Sequence, residues 1–258
     1  MNKQSNTRDL VWNGSLSISV TTESSPLCYM TNIPRLSYIA FILDEVRKIL
    51  CPNEKLDNCW LEFEGVPLKS HWPIGVLYDL YTATDPDAPR SPVLWKLVLH
   101  YDNFPASQLI PCNEPTTFRT LFFNALKESD YVRNKSASYI LSLSNSATEE
   151  LWTSIQKHDF EVYQRFIPRL RSAKYDQLPV RIYITPDTPV VQESVSCKET
   201  LGSMLHKTLP KLFPSQNIAV LAKAIVHGIS IPLSTNMNLL NQELCYTDGF
   251  VHIVIHML

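Results

Sequence analysis

The stretch EFEGVPLKSHWPIGVLYDLY, residues 62–81, decides the fold. A simple turn between two strands would not need the glycine, the proline–leucine step and the second apolar segment that this stretch contains. An apolar segment ends at Gly65, passes through a proline–leucine step, and enters a second apolar stretch that begins at Pro73. The stretch AIVHGISIPLSTNMNLLNQEL, residues 224–244, has the same order of features. This recurrence predicts two copies of one type of small domain.

The composition is that of an ordinary globular protein. The chain has 258 residues, of which 45% are hydrophobic and 19% are charged. At roughly 100–200 residues per domain, this length permits one large domain or two to three small ones. The net charge of −2 provides no global basic field that would attract nucleic acid, so we expect no nucleic-acid partner.

Nothing in the sequence predicts secretion or a membrane span. The first ten residues are polar and lack the apolar core of a signal peptide. No apolar run approaches the ~18 residues that a transmembrane helix needs. We therefore expect a cytoplasmic protein.

The cysteines show no pattern of a metal site. None belongs to a C-x-x-C pair, and no histidine accompanies one at metal-ligand spacing. We expect reduced and mostly buried thiols, no metal and no other cofactor. The six cysteines are Cys28, Cys51, Cys59, Cys112, Cys197 and Cys245.

The first copy of the domain is predicted to cover residues 10–104, after an N-terminal segment of residues 1–9. Alternation of apolar residues with serines from Leu16 to Val20 predicts a half-buried strand. A second strand and a helix follow, and the helix is predicted to end at Cys51, which precedes a proline. A third strand then ends at Gly65, and a short helix and a strongly apolar strand complete the copy.

The second copy is predicted to cover residues 178–258. It begins with two strands, and a helix with Thr200 as its N-cap follows them. The next strand ends at Gly228, a short helix follows, and the apolar segment FVHIVIHM, residues 250–257, closes the copy. The order of elements therefore matches that of the first copy.

A hairpin, a helix and returning strands allow one face of a sheet to bury one helix, as in the β-grasp fold of ubiquitin. Gly65 and Gly228 are expected to have backbone angles that a β-carbon would oppose, and Leu68 and Leu233 are expected to lie under the sheets. Neither copy ends in the flexible glycine-terminated tail of a ubiquitin-like modifier. We therefore interpret both copies as scaffold domains rather than as donors.

Residues 105–177 are predicted to form a linker and a small helix-rich domain, which gives an α+β chain with two ubiquitin-like β-grasp domains flanking a helical one. A proline-rich linker leads into a helix predicted over residues 117–143, with Phe118 and Phe122 on its apolar stripe. Lys127 lies about 180° from Phe118 on this helix, so it is expected to point at solvent. A second helix is predicted to follow, disturbed at Pro168.

A search for catalytic chemistry finds no nucleotide-binding loop, zinc-protease motif or nucleophile elbow. The histidines are dispersed, and Asp85 and Asp87 share a proline-rich loop that we interpret as solvated. One basic stretch leaves two interpretations open: a solvated helix end, or contact with anionic lipid. Its members are Arg165, Arg169, Arg171 and Lys174.

Over nearly its full length the chain resembles the autophagy protein 5 family. The most specific match is the stretch with Gly65, Pro67, Leu68, Lys69, Pro73, Ile74 and Gly75. The other matches are LVWNGSLSISV, IPRLSYIAFILDEVRK, NALKESDYVRNKS, ELWTSIQKHDFEVYQRF and GFVHIVIHML.

The resemblance implies a role in macroautophagy. Family members carry the ubiquitin-like autophagy protein 12 on one lysine through an isopeptide bond, and they bind the N-terminal helix of autophagy protein 16. The assembly promotes transfer of autophagy protein 8 to phosphatidylethanolamine in the manner of an E3 ligase. The acceptor context of the family matches Lys127-Glu128-Ser129-Asp130 in this chain, and Lys135 is the nearest competitor.

The resemblance also implies a non-catalytic scaffold that is cytoplasmic and peripheral at the membrane of the preautophagosomal structure. The partner helix is expected to lie in an apolar groove that both ubiquitin-like domains build. Two other classes stay open. One is a lipid- or cytoskeleton-binding adaptor with ubiquitin-like lobes, and the other is an enzyme whose site matches no known motif.

Overall fold

Two five-stranded sheets and a helical block between them form the protein. This architecture confirms the α+β class with two ubiquitin-like β-grasp domains flanking a helix-rich one. The computed structural model describes residues 7–23, 25–55, 59–82, 94–111 and 115–258.

The elements of the first domain are α1 (Thr7–Asn13), β1 (Ser15–Thr22), β2 (Ser25–Pro34), α2 (Ile39–Leu50), β3 (Trp60–Phe63), β4 (Val66–Pro67), α3 (Ile74–Thr82) and β5 (Trp95–His100). Its sheet has the strand order β2-β1-β5-β3-β4, with β1 and β5 parallel at the centre and antiparallel strands on both sides. Such a parallel pair needs a long crossover, which the helices and the short hairpin between them supply.

The elements of the second domain are β6 (Gln177–Tyr183), β7 (Val191–Ser196), α9 (Leu201–Thr208), β8 (Ala222–Val226), β9 (Ile229–Ser230), α10 (Met237–Leu244) and β10 (Val251–Met257). Its sheet repeats the order of the first as β7-β6-β10-β8-β9, with β6 and β10 parallel. The Thr200 hydroxyl accepts a hydrogen bond from the Ser203 backbone N–H at 3.2 Å, so it caps α9 as predicted.

The glycine turns behave as the sequence predicts. Gly65 has φ of 82° and Gly228 has φ of 74°, in the left-handed region where a β-carbon is unfavourable. Each turn returns the chain into a two-residue strand, β4 or β9. Leu68 and Leu233 follow these strands and are buried, which is also as predicted.

The helical block is more broken than the sequence suggests. Its helices are α4 (Pro115–Asn134), α5 (Ser138–Leu141), α6 (Asn145–Gln156), α7 (Phe160–Tyr163) and α8 (Ile167–Leu170). The prediction of one continuous helix over residues 117–143 is wrong, because the chain leaves the helix at Lys135, which has a left-handed φ of 55°. The second predicted helix is interrupted by His158, also at φ of 55°. Pro168 lies in the first turn of α8, where its missing N–H costs no hydrogen bond.

Helix α1 crosses the boundary that the sequence placed between residues 9 and 10, and no part of that polar segment was expected to be helical. It docks on the helical block through Trp12. The Trp12 ring stacks on the His158 ring at 4.3 Å and on the Tyr163 ring at 4.9 Å between centroids. Its indole N–H donates to the backbone oxygen of His158 at 3.2 Å.

Elements of the other two domains cover the face of the second sheet that lies opposite its own helix. On the second sheet, α4 lies against β6 and α3 lies against β10. There Tyr183 meets Trp72 of the first domain edge to face, with 4.7 Å between the ring centroids. The outer face of the second sheet is therefore the surface on which the other two domains assemble.

Among the residues that the structure describes, no helix is long and apolar enough to cross a membrane. Within the same residues Cys51, Cys59, Cys197 and Cys245 are buried, Cys28 is exposed, and all five are free thiols. Cys112 lies outside the described residues.

Candidate functional site

Lys127 lies near the middle of α4, the longest helix of the block that the structure describes. It is half-buried rather than fully exposed. Its amine donates to the side-chain oxygen of Asn124 at 3.5 Å, one turn earlier on the exposed surface of the helix. The amine nitrogen thus stays at the surface, although the side chain is less free than the helical spacing alone suggests.

The acidic neighbours of Lys127 have partners of their own. Glu128 accepts hydrogen bonds from Arg181 at 3.2 Å and from the Gln192 side chain at 2.6 Å, which ties α4 to β6 and β7. Asp130 accepts from the backbone N–H of Tyr139 at 3.2 Å, and so binds the first turn of α5. Both carboxylates therefore position α4 and α5, and neither forms a salt bridge with the Lys127 amine.

Arg133 anchors the same helix from its inner side. It is fully buried and donates to the Asn241 side chain on α10 at 2.8 Å and to the backbone oxygen of Ser129 at 3.4 Å. At the other end of α4, Phe118 packs against Tyr38 of the first domain, with ring centroids 5.0 Å apart. Helix α4 is consequently held by both ubiquitin-like domains, which makes it a fixed platform for Lys127.

A groove of about 210 Å³ runs beside this platform, where the three domains meet. Tyr38 and Phe122 give it apolar walls, and Glu128 and Arg181 line it with opposite charges. His71 also lines it, and burial lowers the pKa of His71 to about 4, so its imidazole is neutral at pH 7. The groove opens next to Asn124, one turn from Lys127.

A buried polar network supports the groove from the second domain. Asp248 pairs with His252 at 2.9 Å and with Arg181 at 3.5 Å, and His252 shares a hydrogen bond with the Tyr183 hydroxyl at 2.8 Å. Burial alone would raise the pKa of Asp248, but His252 and Arg181 favour its charged form and bring the pKa below its usual value. His252 therefore has a structural role.

The basic stretch of the sequence separates into two environments. Arg165, Arg169 and Lys174 are exposed, and Arg165 pairs with Glu150 at 2.9 Å. Arg171 is buried and donates to the backbone oxygens of Gln242 and Cys245 at the end of α10. The suggested lipid contact is therefore wrong for Arg171, whose guanidinium satisfies the last carbonyls of a helix instead.

Other residues singled out in the sequence do not come together as a site. His256 donates to the backbone oxygen of Asp79 at 2.7 Å, and both residues are far from Lys127 in the chain. Asp85 and Asp87 lie outside the described residues. In the part of the chain that is described, no group of three histidine, cysteine, aspartate or glutamate side chains is placed to hold a metal ion.

Two β-grasp domains, packed around a helix that presents a lysine at its surface, define a protein of the multidomain ubiquitin-like class. Three family models match the chain in sequence order. They are "Autophagy protein ATG5, UblA domain" at residues 11–101, "alpha-helical bundle region" at 115–173, and "UblB domain" at 177–255. The chain belongs to the autophagy protein 5 family, as the resemblance in the sequence indicated.

Curated relatives agree with the family models. Autophagy protein 5 of Phaeosphaeria nodorum is 31% identical over 300 residues, which cover 97% of this chain and 96% of that protein. Autophagy protein 5 of Aspergillus oryzae is 31% identical over 309 residues, which cover 96% of each. The similarity therefore extends through all three domains.

A solved structure has the same fold. The crystal structure of Kluyveromyces marxianus Atg5 superposes with a TM-score of 0.81 and covers 96% of this chain and 98% of its own. Its sequence identity is 24%, so this likeness supports the fold alone.

Proposed function

We propose that this protein is an autophagy scaffold that accepts autophagy protein 12 on Lys127 through an isopeptide bond. In this proposal it also binds the N-terminal helix of autophagy protein 16. The complex then promotes the E3-like transfer of autophagy protein 8 to phosphatidylethanolamine during autophagosome formation. Membership of the family supports each part of the proposal.

The position of Lys127 is the observation that carries the acceptor role. Its amine lies at the surface beside Asn124, on a helix that both ubiquitin-like domains hold in place. In the proposed step the amine nitrogen attacks the carbonyl carbon of a thioester on the conjugating enzyme. The C–N bond forms, the C–S bond breaks, the thiol of the enzyme leaves, and the amine loses a proton.

Reconstitution with the purified activating and conjugating enzymes tests this role. We expect one covalent adduct on the wild-type protein and none on Lys127→Arg, because a guanidinium is not a nucleophile at neutral pH. Lys135→Arg is the matched control, since Lys135 is an exposed lysine just beyond the end of the same helix. Loss of the adduct in Lys135→Arg, with Lys127→Arg unaffected, would contradict the proposal.

The partner-helix role has a separate test. A synthetic N-terminal helix of autophagy protein 16 should bind the unmodified protein, because helix-in-groove recognition needs only preformed apolar surface. Titration calorimetry should give a single site and a negative heat-capacity change. Absence of binding would contradict this part of the proposal and leave the acceptor role standing.

Contact with anionic lipid is a second candidate function, favoured by one surface. Arg169 and Lys174 are exposed, and the Lys174 amine lies 5.5 Å from the ring centroid of Tyr175, itself exposed. Aromatic rings beside lysines suit the headgroup region of a membrane. Vesicles that contain phosphatidylserine should bind the wild type more tightly than Arg169→Glu/Lys174→Glu, whereas Arg165→Glu should bind nearly as well as wild type.

We infer that the protein is not itself an enzyme and that it is cytoplasmic, with peripheral attachment at the membrane of the preautophagosomal structure. The acceptor step needs only an amine from this chain, because the activating and conjugating enzymes supply the remaining groups. Turnover of a small substrate by the isolated protein would contradict the first inference. Fractionation of cells that express the protein at its natural level would test the second.

A further inference from the structure

We propose that the first ubiquitin-like domain binds an extended peptide, as an added strand, along the open edge of β2 and against the adjacent face of α2. The peptide is apolar and carries a basic residue opposite Glu45. This site lies on a different part of the molecule from Lys127 and the three-domain groove.

The edge of β2 is open for strand addition. The sheet order ends at β2, and within the described part of the chain no strand pairs with its second edge, where alternate residues present backbone N–H and C=O groups. The pairing with β1 is regular from Tyr29 to Pro34 and irregular before Tyr29. Pro34 and that irregularity therefore limit the open edge to about five residues, a length that suits a short peptide.

Open edges are usually protected by charged side chains, but β2 has none. Its sequence, SPLCYMTNIP, contains no lysine, arginine, aspartate or glutamate. The corresponding strand of the second domain, β7, carries Glu193, and its neighbour Gln192 is bonded to Glu128 of α4. Of these two strands, β2 is therefore the one without a charged side chain.

One face of α2 lies beside this edge. Tyr29 and Glu45 interact through their side chains, which places this point of the strand beside this point of the helix. Ile33 faces the core, so Thr31 and Tyr29 lie on the same side of the sheet as α2. On the helix, Ile42 lies three residues before Glu45 and Ile49 lies four residues after it, so the three side chains share one face.

This surface combines two apolar side chains with one acid. Ile42 is half-buried and Ile49 is 46% exposed, so both present apolar surface beside the edge. Glu45 is exposed, and within the described residues no lysine or arginine forms a salt bridge with it. The preceding residue, Asp44, is instead paired with Lys48 at 2.5 Å. A peptide with a lysine or arginine among apolar residues complements this surface in polarity and charge.

A labelled peptide of alternating valine and threonine with one central lysine is a direct probe. We expect it to bind the full-length protein, with NMR shift changes confined to β2 and α2. Replacing its lysine by glutamate should weaken binding by about fivefold, the upper range for an exposed ion pair. N-methylation of alternate residues along one edge of the peptide should abolish binding, and along the other edge should not, because an added strand bonds through one edge only.

Variants of the protein separate the parts of the site. Glu45→Gln should remove the preference for lysine over glutamate in the peptide, and Ile49→Lys should weaken both peptides. Met30→Gln is the matched control, because Met30 is exposed on the opposite side of the same strand and an uncharged replacement there should leave binding unchanged. Circular dichroism checks that each of these surface variants stays folded.

Three results would overturn the proposal. The first is absence of binding at peptide concentrations up to about 1 mM. The second is equal sensitivity to N-methylation of either edge, which would indicate association without strand pairing. The third is a set of shift changes centred on β7 or on the three-domain groove, which would place the peptide elsewhere.

Discussion

Replacing Arg35 by methionine should destabilise the protein strongly at pH 7 and much less at pH 5. Arg35 donates to Asp79 at 2.5 Å and to the backbone oxygen of Gly75 at 3.2 Å, inside the first domain. Asp79 also accepts from the backbone N–H of Gly228, and its own backbone oxygen accepts from His256 of the second domain. The pair therefore joins the two ubiquitin-like domains.

The expected magnitude follows from what Asp79 does without its partner. Only 5% of the Asp79 surface is exposed, and burial already raises its pKa even with Arg35 present. Breaking a buried pair typically costs about 3–5 kcal/mol. The Asp79 carboxylate can limit this loss by taking up a proton. For a group with an ordinary pKa of about 3.9, protonation costs about 4 kcal/mol at pH 7 and about 1.5 kcal/mol at pH 5.

Urea denaturation followed by circular dichroism measures this difference. The free energy of unfolding of Arg35→Met should lie about 4 kcal/mol below that of wild type at pH 7 and about 1.5 kcal/mol below it at pH 5. Lys48→Met is the control, because the Lys48–Asp44 pair is exposed and should contribute at most about 1 kcal/mol at pH 7. A loss in Arg35→Met that matches this control, or that does not change with pH, would refute the reasoning.

Three further predictions concern stability. Burial lowers the pKa of His71 to about 4 and of His227 to about 3, so the folded state binds fewer protons than the unfolded state below pH 6.5. Each histidine should therefore remove about 2 kcal/mol of stability as the pH falls from 7 to 5, and His227→Gln should reduce the slope of a stability–pH curve. Gly65→Ala should cost about 1–2 kcal/mol from the positive φ alone, because the added β-carbon would meet nothing within 4 Å. Gly228→Ala should cost more, because the added β-carbon would lie 3.1 Å from the Arg35 side chain. Equal melting temperatures of the two variants would contradict this difference. Leu68→Ala should lose about 2–5 kcal/mol in urea, because Leu68 is fully buried under the first sheet, and a loss below 1 kcal/mol would show that it does not belong to the core.

The fold could be predicted because its determinants are local and occur twice. A glycine at positive φ, a proline–leucine step and a buried leucine are readable from composition and spacing, as at Gly65 and Gly228. Hydrophobic periodicity likewise placed the strands and the main helix of each sheet. One occurrence of the order glycine turn, proline–leucine step and short helix is weak evidence for a domain. Because the order occurs twice in the chain, both domains could be recognised.

The breaks in the helical block could not be read from the sequence. Lys135 and His158 have φ near 55°, which no propensity scale assigns to these residue types. The packing of Trp12 stabilises α1, a contact across about 146 positions of the chain that local patterns do not record. Pro168 is compatible with a helix start as well as with a helix end, and only the structure decides between them.

The candidate site was predictable in position but not in its surroundings. The family resemblance identified Lys127, and helical spacing placed it away from Phe118, but neither indicated that Glu128 and Asp130 bind other elements. Arg171 looks like its exposed neighbours in sequence, because burial against the end of α10 depends on tertiary packing. The surroundings of Lys127 and of Arg171 are both formed by residues that are distant from them in the sequence.

The most direct measurement of the central claim is a mass-spectrometric map of the protein isolated from cells in which it is naturally made. The account predicts one large adduct, with a branched peptide whose glycine carbonyl is joined to the side-chain nitrogen of Lys127. A protein that occurs only unmodified, or an adduct that maps to Lys135 or to another lysine, would contradict it.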